Sequence, residues 1–299
     1  MLQKTIRKTV SLEGIGLHSG RQTRLTLRPA SPGEGIRFVR VDLEGQPSVR
    51  AQFSNISSTR LATTLGSGRL SVATVEHVMA ALRGSGVDNA IVEIDGPEVP
   101  VLDGSAKDFS ALIQAAGTEA QLQHRTLAYL KKRIEVKIED KWAVAEPSNR
   151  FEIHASIEWD HPVIGYQEYH FTEGKSRFSE ICDARTFGFL RDVESMKRLG
   201  LAQGGSLNNA ILLDDARVLN EDGLRYSDEF VRHKVLDALG DLSLAGVSLV
   251  GAFRLHRAGH DLHHRLLVSI FRDASNYELI RGPAVQEQPA REEIPVLAG

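Results

Sequence analysis

Glu229-Phe-Val-Arg-His-Lys-Val-Leu-Asp-Ala-Leu-Gly-Asp241 is the stretch whose reading decides how this chain is built. At about 3.6 residues per turn it places Val231, Val235, Ala238, Leu239 and Leu242 on one stripe, the pattern of a helix with a buried face. His233, Asp237 and Asp241 recur one turn apart on a second stripe. A His and an Asp at i and i+4 have Cβ atoms about 5–6 Å apart, near enough to chelate one metal ion. Asp241, a turn further on, is placed to accept a hydrogen bond from a ligand's second atom and so fix that ligand's orientation. The same spacing also suits an ordinary helix with a solvated polar face, and spacing alone leaves both readings open.

The rest of the chain bounds what such a helix can serve. With 299 residues there is length for one large or two medium domains, and 41% apolar with 25% charged residues is the composition of a globular protein. A formal charge of −3 provides no field for nucleic acid or an anionic membrane. Cys182 is the one cysteine, which excludes an intrachain disulfide and a thiolate zinc cage. The N-terminus lacks the apolar core of a signal peptide and no run approaches a membrane span, so a cytoplasmic location is expected.

Polarity alternates over residues 4–11 and 23–28 as in strands of a one-sided antiparallel sheet, and 36–41 and 49–53 continue the meander. Between the first two lies the turn Gly14-Ile-Gly-Leu-His-Ser-Gly20. Thr74 is expected to cap a helix running to Arg83 with Val75, Val78, Met79 and Leu82 buried, followed by a strand at 90–94 and a helix at 106–116. Residues 117–123 read as a polar linker. The order then repeats, with strands near 134–138, 142–145 and 151–159, the Phe230 helix, a strand at 248–255 and a helix at 260–270. The fold class expected is α+β, two similar domains (1–120 and 126–280) related by duplication, each a layered sheet packed on helices. Residues 187–224 break the repeat as an insert holding a short helix at 192–199, a Gly204-Gly205-Ser206 turn and a strand near 210–213. The tail at 283–299 is expected to be mobile.

Two sets of residues compete for a metal, the His233–Asp237 pair and a group of histidines further along, and spacing cannot choose between them. Glu76 and His77 stand in the first turn of the Thr74 helix, about 100° apart, so one can bind an ion while the other meets a water on it. They also fit an acidic first turn and a surface His. The rival set is His256, His260, His263 and His264, in which His260 and His264 share a helix face at i, i+4. His124, His154, His161 and His170 read as surface residues.

The motifs Gly14-Ile-Gly-Leu-His-Ser-Gly20, Thr74-Val-Glu-His77, Val99-Pro-Val-Leu-Asp-Gly-Ser105, Ala184-Arg-Thr-Phe-Gly-Phe-Leu-Arg-Asp192, Val218-Leu-Asn-Glu-Asp-Gly-Leu-Arg-Tyr226, the Phe230 helix and Ala258-Gly-His260 occur in one order. Together they closely resemble the UDP-3-O-acyl-N-acetylglucosamine deacetylases of lipid A biosynthesis, over about residues 3 to 280. The resemblance implies two βααβ-type layered domains with an insert in each. It implies Zn2+ held by His77, His233 and Asp237, with Glu76 as the base. His260 would be the charged partner of the oxyanion, Asp241 its carboxylate neighbour, and Thr186 a donor to the oxyanion. Lys234 and Phe187 would contact the substrate sugar, and Leu17 would line its site. Lys141, Glu158, Trp159 and Arg257 would form the nucleotide end, where the family commonly has Asp-Phe in place of Glu158-Trp159.

On this reading the chain is a zinc amidohydrolase of a Gram-negative bacterium. It would remove the N-acetyl group of an acylated UDP-amino sugar in the committed step of lipid A biosynthesis, as a monomer without nucleic acid or stable membrane insertion. Leu190, Val193 and Met196 fall on one side of the insert helix, and with Ala202 they are expected to wall a passage for the acyl chain. The alternatives are a zinc amidohydrolase for another acylated amino sugar and a metal-stabilised binding module.

Overall fold

The computed structural model describes residues 1–282, so the tail read as mobile at 283–299 lies outside the described residues. Helices are labelled α1 (Glu76–Gly84), α2 (Lys107–Ala116), α3 (Leu190–Arg198), α4 (Glu229–Ser243) and α5 (His260–Phe271). The fold is α+β, with helices packed between sheets.

Alternation decides the faces of the strands. In Gln22–Pro29 the residues Thr23, Leu25 and Leu27 turn inward while Gln22, Arg24 and Arg28 face out. That strand belongs to a five-stranded sheet whose order is Val10–Ile15, Gln22–Pro29, Ala90–Ile94, Ile36–Arg40 and Ser48–Arg50. A seven-stranded sheet contains the same pattern: Ile134–Ile138, Lys141–Glu146, Ser248–His256, Phe151–Trp159 and Gly165–Thr172. In each, the central strand follows one helix, precedes another, and runs antiparallel to one neighbour and parallel to the other. Thr126–Leu130 and Tyr277–Arg281 extend the second sheet.

Between the sheets α1 packs on α4. Apolar spacing predicts one buried stripe on α4; in the structure the helix is buried almost all round, because the His233–Asp237–Asp241 stripe also faces protein. Gly240 allows the close approach, since a Cβ there would run into the backbone carbonyl of Glu76.

Several local expectations are corrected. Thr74 does not cap α1: it sits in the left-handed region at φ 58°, and its hydroxyl donates to Glu98 Oε1 at 3.0 Å. Residues 117–123 are not a linker, because Thr118–His124 pairs antiparallel with Leu2–Ile6. The insert helix begins earlier than expected, at Leu190, and its strand Ile211–Leu213 runs parallel to Phe187–Phe189. His161 is buried, with Nε2 2.8 Å from the Asp214 carbonyl, and His154 and His170 lie ring to ring at 4.2 Å across two strands. Among the described residues no helix is long and apolar enough to cross a membrane.

Candidate active site

Three chain segments deliver side chains to one buried point. The start of α1 contributes Glu76 and His77, α4 contributes His233, Asp237 and Asp241, and the start of α5 contributes His260. Both residues of the Glu76-His77 pair are buried, so neither is the surface group that the sequence also permitted.

His77 Nε2 lies 3.5 Å and His233 Nε2 3.3 Å from Asp237 Oδ1. The three ligand atoms fall within 4.8 Å of one another. His233 Nδ1 donates to the Ala184 carbonyl at 3.0 Å, which leaves the Nε2 lone pair facing the cluster. Burial, against the pull of Asp237, brings the His233 pKa down to about 3, so the ring is neutral. Burial also opposes the charge of Asp237, but His233, Lys234, a hydrogen bond from His77 and the charge of His260 together hold that carboxyl well below its usual range. Lys234 Nζ donates to Asp237 Oδ2 at 2.8 Å. The His233 lone pair faces the Asp237 carboxylate oxygen and is repelled by it, and a cation relieves that repulsion. The donor set therefore fits a divalent metal, and three protein ligands suit an open catalytic position better than a closed structural site.

Beside this cluster lies a second one. Asp241 Oδ2 accepts from Nδ1 of both His260 and His263, each at 2.7 Å. Among the described residues His264 joins no group of three or more metal-binding side chains; His263 is the residue beside His260 on Asp241, and His256 stacks on Trp142 at 5.6 Å. Burial opposes a charged His260, but Asp241 and Glu76 outweigh it and raise its pKa to about 10. Its Nε2 points at Glu76 Oε1, 3.8 Å away. Burial lifts the Glu76 pKa above the ordinary glutamate value, with His260 and His77 pulling it back.

The other expected site residues fall into three groups. Phe187 packs edge-on against Trp159 at 5.7 Å, and Lys234 Nζ lies 5.4 Å from the Phe187 ring centre, so these three form one wall. Thr186 precedes that wall, its N–H donating to Gly104 and its carbonyl accepting from Ile211. Lys141, Glu158 and Arg257 lie at neighbouring strand ends, where Arg257 Nη1 pairs with Asp140 at 2.5 Å. Leu17 meets the insert through its carbonyl, which accepts from Gly204, and the Ala202 N–H reaches His18 Nδ1 at 3.4 Å. On α3, Leu190 is exposed and Met196 half-buried.

Sequence reading missed several residues that build this site. Glu98 is buried and accepts from the backbone N–H groups of His18 and Ser19 at 2.8 and 2.6 Å, tying the glycine-rich turn to the chain ahead of α1. A lone glutamate between Pro97 and Val99 was the available signal. His18 Nε2 is buried without a partner among the described residues. Arg185 and Glu229 form a buried ion pair at 2.8 Å that holds the Thr186 segment to the first turn of α4.

A buried carboxylate facing a charged imidazole, next to a group of side chains that could hold a metal ion, is the kind of centre a hydrolytic enzyme uses. Known proteins give the class a family. The family model of the UDP-3-O-acyl N-acetylglycosamine deacetylases matches residues 3–272. The chain is 50% identical over 279 residues to the UDP-3-O-acyl-N-acetylglucosamine deacetylase of Myxococcus xanthus (strain DK1622), covering 93% of this chain and 89% of that one. It is 46% identical to the protein of the same name from Acidithiobacillus ferrooxidans (strain ATCC 53993 / BNL-5-31), over 93% and 92% of the two chains. With that of Teredinibacter turnerae (strain ATCC 39867 / T7901) it shares 43% identity over 99% of each. The chain belongs to the UDP-3-O-acyl N-acetylglycosamine deacetylase family and is an enzyme, a deacetylase of the amidohydrolase type.

Proposed function

We propose that the chain hydrolyses the N-acetyl group of UDP-3-O-(hydroxyacyl)-N-acetylglucosamine, giving acetate and the free amine in the committed step of lipid A biosynthesis. In this reading one zinc ion is held by His77, His233 and Asp237. The observation that carries it is the buried convergence of those three ligand atoms beside the Glu76–His260 pair. A bound zinc supplies Lewis acidity, acidifying a water and drawing charge from an amide oxygen.

The protein's own groups do the rest. Glu76, ionised but raised in pKa by burial, takes a proton from the attacking water. As the carbonyl carbon becomes tetrahedral, its oxygen gains charge and is met by the His260 imidazolium and the Thr186 hydroxyl. Each such donor typically contributes about 2.7–4 kcal/mol to the transition state. The C–N bond then breaks, and Glu76 passes its proton to the departing amine. Asp241 keeps His260 charged throughout. Lys234 and Phe187 receive the sugar, while Lys141, Glu158, Trp159 and Arg257 form the nucleotide end, with Trp159 stacking on the base. Leu17, Leu190, Met196 and Ala202 line the acyl side.

With a UDP-sugar substrate goes a cytoplasmic location in a Gram-negative cell. The repeated five-strand order supports two units, at 1–120 and 126–280, meeting at the site. The test is release of acetate from the acylated UDP sugar by the purified protein, with and without a chelator. Loss of turnover on chelation and its return with zinc are expected. Turnover unaffected by complete metal removal would refute the zinc reading, and no turnover by the metal-replete protein would refute the substrate.

A further inference from the structure

Thr63 lies in the small hairpin formed by Ile56–Ser58 and Thr64–Leu65, in a Ser- and Thr-rich run. It is completely buried. Each of its polar groups is engaged at the site. The N–H donates to Glu76 Oε2 at 3.1 Å, the hydroxyl donates to Asp241 Oδ1 at 2.6 Å, and the carbonyl accepts from the Val75 N–H at 3.3 Å, just ahead of α1.

These contacts close a ring. Glu76 Oε1 faces His260 Nε2 at 3.8 Å, His260 Nδ1 donates to Asp241 Oδ2 at 2.7 Å, and Thr63 joins Asp241 back to Glu76. The widest gap in the ring is the one between Glu76 and His260, where the reacting group enters in the reading given above. The two carboxylates come from different helices, and buried like charges repel. A residue that donates to both offsets that repulsion and fixes their separation. Being a short β-branched side chain, Thr63 does so with little rotamer freedom.

We propose that Thr63 is a positioning residue for the deacetylase reaction, one that sets Glu76 and Asp241 relative to each other and thereby aims His260 at the base. The inference rests on the functional reading of Glu76 and His260. Asp241 accepts a third donor, His263 Nδ1, on Oδ2, so the Oδ1 contact is the one specific to Thr63.

The test compares Thr63→Val, which keeps shape and backbone N–H but removes the hydroxyl, with Thr63→Ser, which restores a hydroxyl. Measured on the acylated UDP sugar, Thr63→Val is expected to lower kcat by roughly ten- to a hundredfold with KM within about threefold and zinc content unchanged, the size expected when a hydrogen bond to a buried charge is lost. Thr63→Ser is expected within about threefold of the parent. In the Asp241→Asn background the Val substitution should cost little more, because both act on one contact. A readout without turnover is the downfield Nδ1–H proton resonance of His260, expected to be preserved in Thr63→Ser and shifted or broadened in Thr63→Val. If Thr63→Val does not fold, Thr63→Cys, with its weakly donating thiol, takes its place in the comparison. A Val variant with parental kcat and His260 resonance, or Val and Ser variants equally impaired, overturns the proposal. An inactive parent protein overturns the functional reading instead, and the resonance measurement still decides the positioning claim.

Discussion

Gly240 packs directly against the backbone carbonyl of Glu76, so the helix that carries Asp237 and Asp241 and the helix that carries Glu76 and His77 touch main chain to main chain. The atoms that a Cβ would meet are the carbonyl oxygen, the carbonyl carbon and the Cα of Glu76, none of which can swing aside. Gly240→Ala must therefore push α1 and α4 apart. Overpacking of this kind costs typically about 1–3 kcal/mol. Metal affinity is expected to fall as well, because His77 comes from one helix and His233 and Asp237 from the other. A melting curve and a zinc titration check this; unchanged affinity in a folded variant would show that the two helices separate without disturbing the ligands.

Asp237→Ala should lose zinc and His264→Ala should keep it. Asp237 contributes the oxygen nearest both imidazoles, and its removal leaves two ligands for a site that needs three from the protein. His264 lies outside both ligand clusters. Elemental analysis of the parent is expected to give about one tight zinc per chain. Metal lost from His264→Ala but retained in Asp237→Ala would reverse the assignment.

The pH profile of kcat/KM should be bell-shaped, with Glu76 required ionised and His260 required protonated. Burial raises the Glu76 pKa, so activity falls on acidification through a value above that of an ordinary glutamate. His260 is held up near 10, so the basic limb lies well into alkaline pH. Asp241→Asn removes the largest of the carboxylate pulls and should move that limb to lower pH. Glu76→Ala should abolish the acidic limb with zinc retained. The His260–Asp241 pair also acts on stability. A folded-state pKa raised from 6.5 to about 10 gives a contribution fully present below pH 6.5 and lost as pH rises through 10. Thermal melts of the metal-free protein across that range should show the loss, and Asp241→Asn should flatten it.

Periodicity made α4, its neighbouring strands and the α+β class legible, because apolar spacing reports directly on which face is buried. It could not report that the polar stripe of α4 is buried too, since burial of His233 and Asp237 depends on partners contributed by α1 from far along the chain. Spacing also offered His260 with His264 at i, i+4 as an equal rival to His233 with Asp237, whereas His263 joins His260 on Asp241, because both rings reach a carboxylate on another helix. Thr63, Glu98 and the Arg185–Glu229 pair left little trace, for their contacts span large sequence separations and their residue types are ordinary in turns. The ordered motifs carried the assignment of His77 to the same ion as His233, which no local pattern contained.

The acyl chain of the proposed substrate needs an apolar surface beside the metal ligands, and the insert is placed to provide one. Its strand Phe187–Phe189 follows Thr186 directly and leads into α3, whose Leu190 is exposed and whose Val193 and Met196 are half-buried. None of the α3 side chains is fully buried, so the helix does not use its apolar residues as core. The chain then returns past Ala202 to the glycine-rich turn, where the Gly204 N–H donates to the Leu17 carbonyl. Burying acyl methylenes there contributes up to about 0.8 kcal/mol each. A substrate lacking the acyl chain is therefore expected to lose roughly two decades in kcat/KM, the equivalent of three or four buried methylenes. Narrowing the space with Met196→Trp should penalise long chains more than short ones. Ala202 is a poorer place for the same test, because its φ of 51° already lies in the left-handed region and a bulky residue would strain the backbone. Equal kcat/KM for acylated and unacylated UDP sugars would leave α3 as a structural element with no part in binding the chain.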